Sequence, residues 1–347
     1  MSPIKKGPVP GSEFRRDTVS GDWILVASGR AKRPSAKPDH RDRLSSAVKG
    51  CPFDDPQKSG NAEPLLWLAH PERKAGGEPE LKDWWVQIVP NKFPALKPHH
   101  ECPQIEGDGS YQRMSGVGFH EIIITRDHHR RVSEMTSEEA ETVLYAYQER
   151  YHALQREPCI EYILIFHNQG PAAGATLYHP HSQLIALPII PPDVSKSLEG
   201  SRTYYAAHGR CVHCSMLDWE REKKERLVYE NDRFLVISPF APRVSYEMRI
   251  YPKKHASRFE DADAADRLLL ADALGAILRK IKKAMGDPDY NFFIHTAPAK
   301  AAGPDYYHWH IEVLPHTSIW AGLELGTGIE VVAIPPEDAA DALRAAK

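Results

Sequence analysis

Apolar residues recur along this chain with two periods. Val143, Tyr147, Tyr151 and Leu154 fall at helical spacing, and Thr136 with Glu139 three residues later forms a capping-box pattern that predicts the helix start. Leu270, Leu274, Ile277, Ile281 and Met285 make a second helical stripe, which Gly286 and Pro288 are expected to stop. The aromatic and Met positions of both stripes are expected in the core. Between them lie short runs rich in Ile and Val, bounded by Pro, Gly and Asn, which predict strands. These are Trp23 to Val26, Ile122 to Ile124, Tyr162 to Phe166, Met248 to Tyr251 and Asn291 to Ile294. Helices packed on antiparallel strands give an α+β fold class.

The landmarks repeat in one order. The first half runs from a Cys turn (Cys51-Pro52-Phe53-Asp54) through His128-His129, a helix and a strand to His179-Pro180-His181. The second runs from Cys211-Val212-His213-Cys214 through His255, a helix and a strand to His308-Trp309-His310. An internal duplication accounts for this order, so two similar halves are expected, each an antiparallel sheet with a packed helix. The Pro191-Pro192 pair puts the boundary between 191 and 200, giving domains 1–195 and 196–347.

Composition then narrows the classes. A chain of 347 residues with 41% hydrophobic and 26% charged residues can bury a sizeable core. Its 44 basic and 47 acidic residues nearly cancel, which argues against nucleic acid or an anionic membrane as partner. No run approaches the ~20 apolar residues of a membrane span. The stretch Met1 to Ser12 has no apolar core behind Lys5 and Lys6, so it is expected to be a flexible arm and not a signal peptide. An odd number of cysteines, 5, without an export signal makes a disulfide framework unexpected and a reducing cytoplasm the expected location. Cys102 and Cys159 suggest no chemistry and are expected to be structural.

The chemistry concentrates in Tyr178-His179-Pro180-His181-Ser182-Gln183. In an extended chain alternate residues share a face, so His179, His181 and Gln183 point the same way. Pro180 suits the mouth of a strand. Imidazole is a neutral nucleophile near pH 7, and a nearby amide can donate to phosphoryl oxygens. Upstream, Asn168 to Thr176 is rich in small residues, including Gly174, whose backbone N–H groups could cradle a phosphate; a plain turn is the alternative. Arg30, Lys32 and Arg33 form a basic cluster suited to phosphate, or simply a solvated turn.

Cys211, Cys214, His255 and His308 offer two thiolates and two imidazoles, the donor set of a closed, structural zinc site. Cys51, Asp54, His129 and His179 stand at the matching landmarks of the first half. Free thiols with surface histidines are the alternative for either set.

Together these residues make the chain resemble the galactose-1-phosphate uridylyltransferase family of the histidine-triad superfamily. The likeness runs from Trp23-Ile24-Leu25-Val26 through Arg30 to Pro34 and on to Gly326-Thr327-Gly328. It implies a ping-pong route in which His181 takes the UMP group from UDP-glucose and galactose 1-phosphate then receives it. It also implies His179 as a zinc ligand and Gln183 as stabiliser of the transferring phosphoryl group. Asn168, Gly174 and Thr176 would contact the nucleotide phosphates with Arg30 and Arg33 nearby, Asn91 and Phe93 the base, and Glu324 the hexose. A homodimer is implied as well. A second metal site of some members, at positions matching His295, His308 and His310, would compete with the Cys211 set for His308.

The chain departs from the family pattern at Asp54, which replaces a zinc Cys, and at Lys92, where some members carry an acidic ribose contact. It departs again at the tail from Glu324 to Gly328. A plant-type branch with a similar tail is a nucleotide-sugar phosphorylase, so phosphate is the alternative acceptor. A zinc-stabilised nucleotide-binding protein without activity, and a hydrolase, are further alternatives. Short hydrolases of the superfamily carry a His where Gln183 stands, and an amide cannot shuttle a proton. In the second half Glu312 takes the position of Gln183, and the bulky, acidic Pro304-Asp305-Tyr306-Tyr307 stands where the first half has its Gly-containing loop. Only the first half is therefore expected to transfer nucleotide.

Overall fold

The computed structural model describes residues 11–32, 50–73 and 77–346. Arg33, Pro34 and most of the expected N-terminal arm lie outside the described residues.

One ten-stranded sheet organises the molecule. Its two central strands are Tyr162–Gln169 and Tyr290–His295, paired antiparallel. Outward on one side follow His181–Leu187, Phe119–Thr125, Trp84–Pro90 and Leu66–Ala69. Outward on the other follow His310–Pro315, Met248–Pro252, Phe234–Ile237 and Leu227–Glu230. The expected duplication is thus visible as one strand order used twice, and the two halves share a continuous sheet.

Helices Ser137–Leu154 and Ala264–Met285 lie together on one face of the sheet. The expected capping box forms: the Glu139 N–H donates to Thr136 Oγ1 at 3.2 Å, and the Thr136 N–H donates to Glu139 Oε2 at 2.8 Å. Val143, Tyr147, Tyr151 and Leu154 are buried with Leu270, Leu274, Ile277 and Ile281 against Ile123, Leu184, Ala186, Ile311 and Val313. Gly286 ends the second helix in the left-handed region, at φ 76°. Burying one face this way commits the alternate strand residues, His181, Gln183, His310 and Glu312 among them, to the other face.

The segment expected to hold the domain boundary opens a helix, Pro192–His208. A small sheet of Glu13–Arg16, Trp23–Val26 and Val331–Val332 packs on the second half through Ile24, Val26, Ala241 and Val332. One cysteine expectation is corrected: Cys102 and Cys159 form a disulfide, because the loop after residue 97 returns to the end of the first long helix and brings their Cα atoms to 5.1 Å. Among the described residues no helix is long and apolar enough to cross a membrane.

Candidate active site

His181 opens its strand and is buried, with 7% of its surface exposed. Its Nδ1 lies 2.8 Å from the His179 carbonyl oxygen, which can only accept, so Nδ1 carries the proton and donates. The lone pair is then on Nε2. Burial holds the imidazole below its ordinary pKa of 6.5, against the smaller, opposing effect of that hydrogen bond. The next residue anchors the strand from behind: Ser182 Oγ is 2.5 Å from Tyr147 Oη and 3.0 Å from His167 Nδ1. Burial depresses His167 to about 3, so this supporting ring is neutral.

Gln183 shares the open face with His181. Its Oε1 lies 2.8 Å from His120 Nε2, a residue that the sequence pattern did not single out. Asn91 and Phe93 sit in the adjoining loop. The Phe93 N–H donates to Asn91 Oδ1 at 2.9 Å, and the Phe93 ring is 84% exposed.

The loop Asn168 to Thr176 differs from expectation. The Ala172 N–H donates to Asp289 Oδ2, while Ala173 and Ala175 donate to the Gly170 carbonyl and Gly174 to that of Pro171. These N–H groups are consumed inside the turn and do not form an open cradle. Gly170 is required there: at φ 86°, an added Cβ would fall 2.1 Å from Asp289 Oδ1. Asn168 Oδ1 accepts from Asn291 Nδ2 at 2.7 Å, so the second half also braces this loop. Gly174 and Thr176 are exposed.

Arg30 is exposed on the turn Ser28–Lys32, next to the small sheet on the second half. Glu324 lies on the helix Gly322–Thr327 and lines a cavity of about 300 Å³ with His213, His295, His310 and Glu312. Within one chain it therefore faces the second half's histidines.

Among the described residues four groups of metal-type donors form, and two of them, one in each half, include cysteine. Cys211, Cys214, His255 and His308 present donor atoms all within 4.8 Å of one another, as expected. The first-half group is Cys51, Asp54, His128 and His179, which corrects the expected His129. Asp127 Oδ1 accepts from the His129 and Arg130 N–H groups, and this turn leaves His128 buried and His129 exposed. The donor chemistry fits a cation. His179 Nε2 donates to the Thr125 carbonyl at 2.6 Å and His308 Nε2 to that of Pro252 at 3.0 Å, freeing each Nδ1 to ligate. Both carbonyls end equivalent strands.

In the second half His310 Nδ1 meets the His308 carbonyl at 3.1 Å, and burial lowers the ring to about 4. Glu312 lies 3.1 Å from Arg249 Nε, with His295 and His310 each 3.6 Å away. His213 is buried, and among the described residues neither of its ring nitrogens has a hydrogen-bond partner.

This arrangement matches known proteins across most of the chain. Residues 10–191 match the family "Galactose-1-phosphate uridyl transferase, N-terminal domain", and residues 220–319 match the HIT domain. An ADP-glucose phosphorylase of Arabidopsis thaliana is 32% identical over 337 residues, covering 96% of this chain and 92% of that protein. A galactose-1-phosphate uridylyltransferase of Thermotoga maritima is 26% identical over 342 residues, covering 96% and 98%. The crystal structure of an Arabidopsis thaliana ADP-glucose phosphorylase with bound ADP-glucose superposes with a TM-score of 0.81 at 30% identity, covering 97% of this chain and 99% of that one.

Proposed function

The chain belongs to the galactose-1-phosphate uridyl transferase family, and from that premise we propose that it moves a nucleotidyl group from a nucleotide sugar to a phosphate oxygen through His181. The observation that carries this reading is the hydrogen bond from His181 Nδ1 to the His179 carbonyl, which leaves Nε2 as a neutral nucleophile on the open face.

Nε2 attacks the α-phosphorus. The bond from that phosphorus to the bridging oxygen breaks, and the sugar 1-phosphate departs with the electron pair. In the second half-reaction an acceptor oxygen attacks the same phosphorus, the N–P bond breaks, and its electron pair returns to Nε2. Gln183 donates its amide N–H to the non-bridging oxygens in both steps. Asn91 and Phe93 receive the base, and the exposed Phe93 ring offers a face for stacking. Asn168 and Thr176 contact the phosphates through their side chains, and Glu324, supplied across the homodimer, the sugar.

Phosphate is the acceptor this reading favours, giving a nucleoside diphosphate. The 32% identity to an ADP-glucose phosphorylase over nearly the whole chain supports it. UMP transfer from UDP-glucose to galactose 1-phosphate is the second reading, supported by the 26% identity to a uridylyltransferase over 96% of this chain. Zinc is the proposed metal at Cys211, Cys214, His255 and His308, and a second at Cys51, Asp54, His128 and His179. A closed four-ligand set supplies structural cross-linking when metal is bound. A homodimer belongs to this reading, supported by exposed Ile319, Leu323 and Leu325 around Glu324.

Mass spectrometry after incubation with ADP-glucose or UDP-glucose tests it. A covalent AMP or UMP adduct should form in the wild type and be absent from His181→Ala. Adding phosphate or galactose 1-phosphate should discharge it and name the acceptor. An adduct on His181→Ala protein sinks the proposal.

A further inference from the structure

We infer that His120 is a positioning residue: it selects which end of the Gln183 amide meets the transferring phosphoryl group, and it ties that choice to the loop 91–95. The inference rests on the transfer reading and deepens it.

His120 and Gln183 lie on adjacent antiparallel strands. Gln183 is paired with Ile122, and Ile185 with His120, so the two side chains are diagonal neighbours on the same face. The ring is fixed at both nitrogens. The Ala95 N–H points at Nδ1 from 3.1 Å, so Nδ1 must accept. In a neutral imidazole the proton is then on Nε2. Nε2 faces Gln183 Oε1 at 2.8 Å and donates to it. This consumes the acceptor end of the amide and leaves its NH2 group as the free end. A flipped amide would set its NH2 against the Nε2 proton, donor against donor.

The orientation matters for the chemistry. An amide carbonyl directed at a phosphoryl group would repel its oxygens, whereas the NH2 donates to them. Gln183 can flip about its last torsion, and two-fold torsions of this kind are broad. Something must select the productive end, and the tautomer of His120 does.

The same ring is part of the loop's frame. The Asn91 N–H donates to the His120 carbonyl at 2.9 Å. The Asn91 amino group lies 3.0 Å from Nε2 and 3.4 Å from Nδ1. An atom so nearly equidistant from both nitrogens lies along neither in-plane N direction, so this amino group does not donate to Nε2 and calls for no lone pair there. The loop that carries Asn91 and Phe93 therefore sets the tautomer, and the tautomer sets the amide.

A double-mutant cycle tests this, read as the single-turnover rate of adduct formation with ADP-glucose and with UDP-glucose. His120→Ala should lower the rate at saturating nucleotide sugar by roughly 10- to 100-fold, less than the roughly 100- to 1,000-fold loss of a whole donor. The half-saturating concentration should change little. In a Gln183→Ala background the same substitution should cost less than about twofold, because no amide remains to be oriented. His120→Gln, whose amide nitrogen reaches to where Nε2 stands, should recover part of the rate, and it carries the cycle should His120→Ala not fold. Equal losses in the two backgrounds, or a wild-type rate in His120→Ala, overturn the inference. No adduct in the wild type overturns the transfer reading itself, and the inference with it.

Discussion

Gln183 and Glu312 occupy the same position in the two halves but are held by opposite partners. Gln183 meets the His120 ring at 2.8 Å, and Glu312 meets the Arg249 guanidinium at 3.1 Å. Each follows by two residues a histidine whose Nδ1 is locked on a backbone carbonyl. The imidazoles are thus prepared alike, and the partner residue separates them. Desolvation by burial is the largest single effect on Glu312 and would raise it, but Arg249 together with the His295 and His310 rings outweighs it and holds the carboxyl well below the usual carboxylate range, so it stays ionised and repels a phosphate. Peptide mapping of the trapped adduct should place the nucleotidyl group on the peptide containing His181, in the wild type and in His310→Ala alike. Label on the His310 peptide, or loss of label in well-folded His310→Ala protein, would refute this asymmetry.

Metal content should separate two adjacent histidines. His128 joins Cys51, Asp54 and His179, whereas His129 points to solvent. His128→Ala should lower the zinc content measured by elemental analysis, while His129→Ala leaves it unchanged. Cys211→Ser/Cys214→Ser should remove the other metal and lower the melting temperature before it alters the chemistry. Unchanged zinc and melting in the cysteine double variant would remove the second site from the description.

These residues also mark what the sequence made legible. The duplication was, because Cys turn, His, helix, strand and His-x-His recur in order, and that order reappears in the mirrored strand sequence of the sheet. The helix stripes were, because burial and period coincide there. The choice of His128 over His129 was not: it depends on Asp127 capping the two N–H groups that follow His128. Nor was His120, whose partner emerges only once the register sets Ile122 opposite Gln183. The loop before His181 reads as a phosphate cradle by composition. Its Ala172 N–H is taken by Asp289, 117 residues away, a contact that local pattern does not carry.

The Cys102–Cys159 bridge makes a prediction against the expected reducing location. It closes a separation of 57 residues. A loop of that length corresponds to roughly 4 kcal/mol of chain entropy, an upper figure since real bridges often deliver less. Under oxidising conditions thiol titration of the unfolded protein should find Cys51, Cys211 and Cys214 reactive and the other two blocked. Cys102→Ser should lower stability in urea, and a thiol reductant should abolish the difference from wild type. Five reactive thiols in protein handled without reductant would show that the bridge does not form.

The last prediction concerns pH and follows from burial of the nucleophile. An imidazole attacks only when Nε2 is unprotonated. Burial penalises the charged ring and holds His181 below 6.5, although the His179 carbonyl pulls the other way. The neutral, competent form therefore persists to more acidic pH than for a free histidine. Single-turnover adduct formation at saturating nucleotide sugar should fall to half its plateau only below pH 6.5, with one proton taken up. Reactions must be quenched in base, because the N–P bond is acid-labile. The position of the acid limb should shift upward on substituting Phe53, whose ring centroid packs 5.1 Å from that of His181 and helps to exclude water. Phe53→Ala opens that side to solvent, reduces the desolvation, and should move the limb toward 6.5. A wild-type limb at or above 6.5, or one that moves further toward acid in Phe53→Ala, would contradict the account of how this ring is kept neutral.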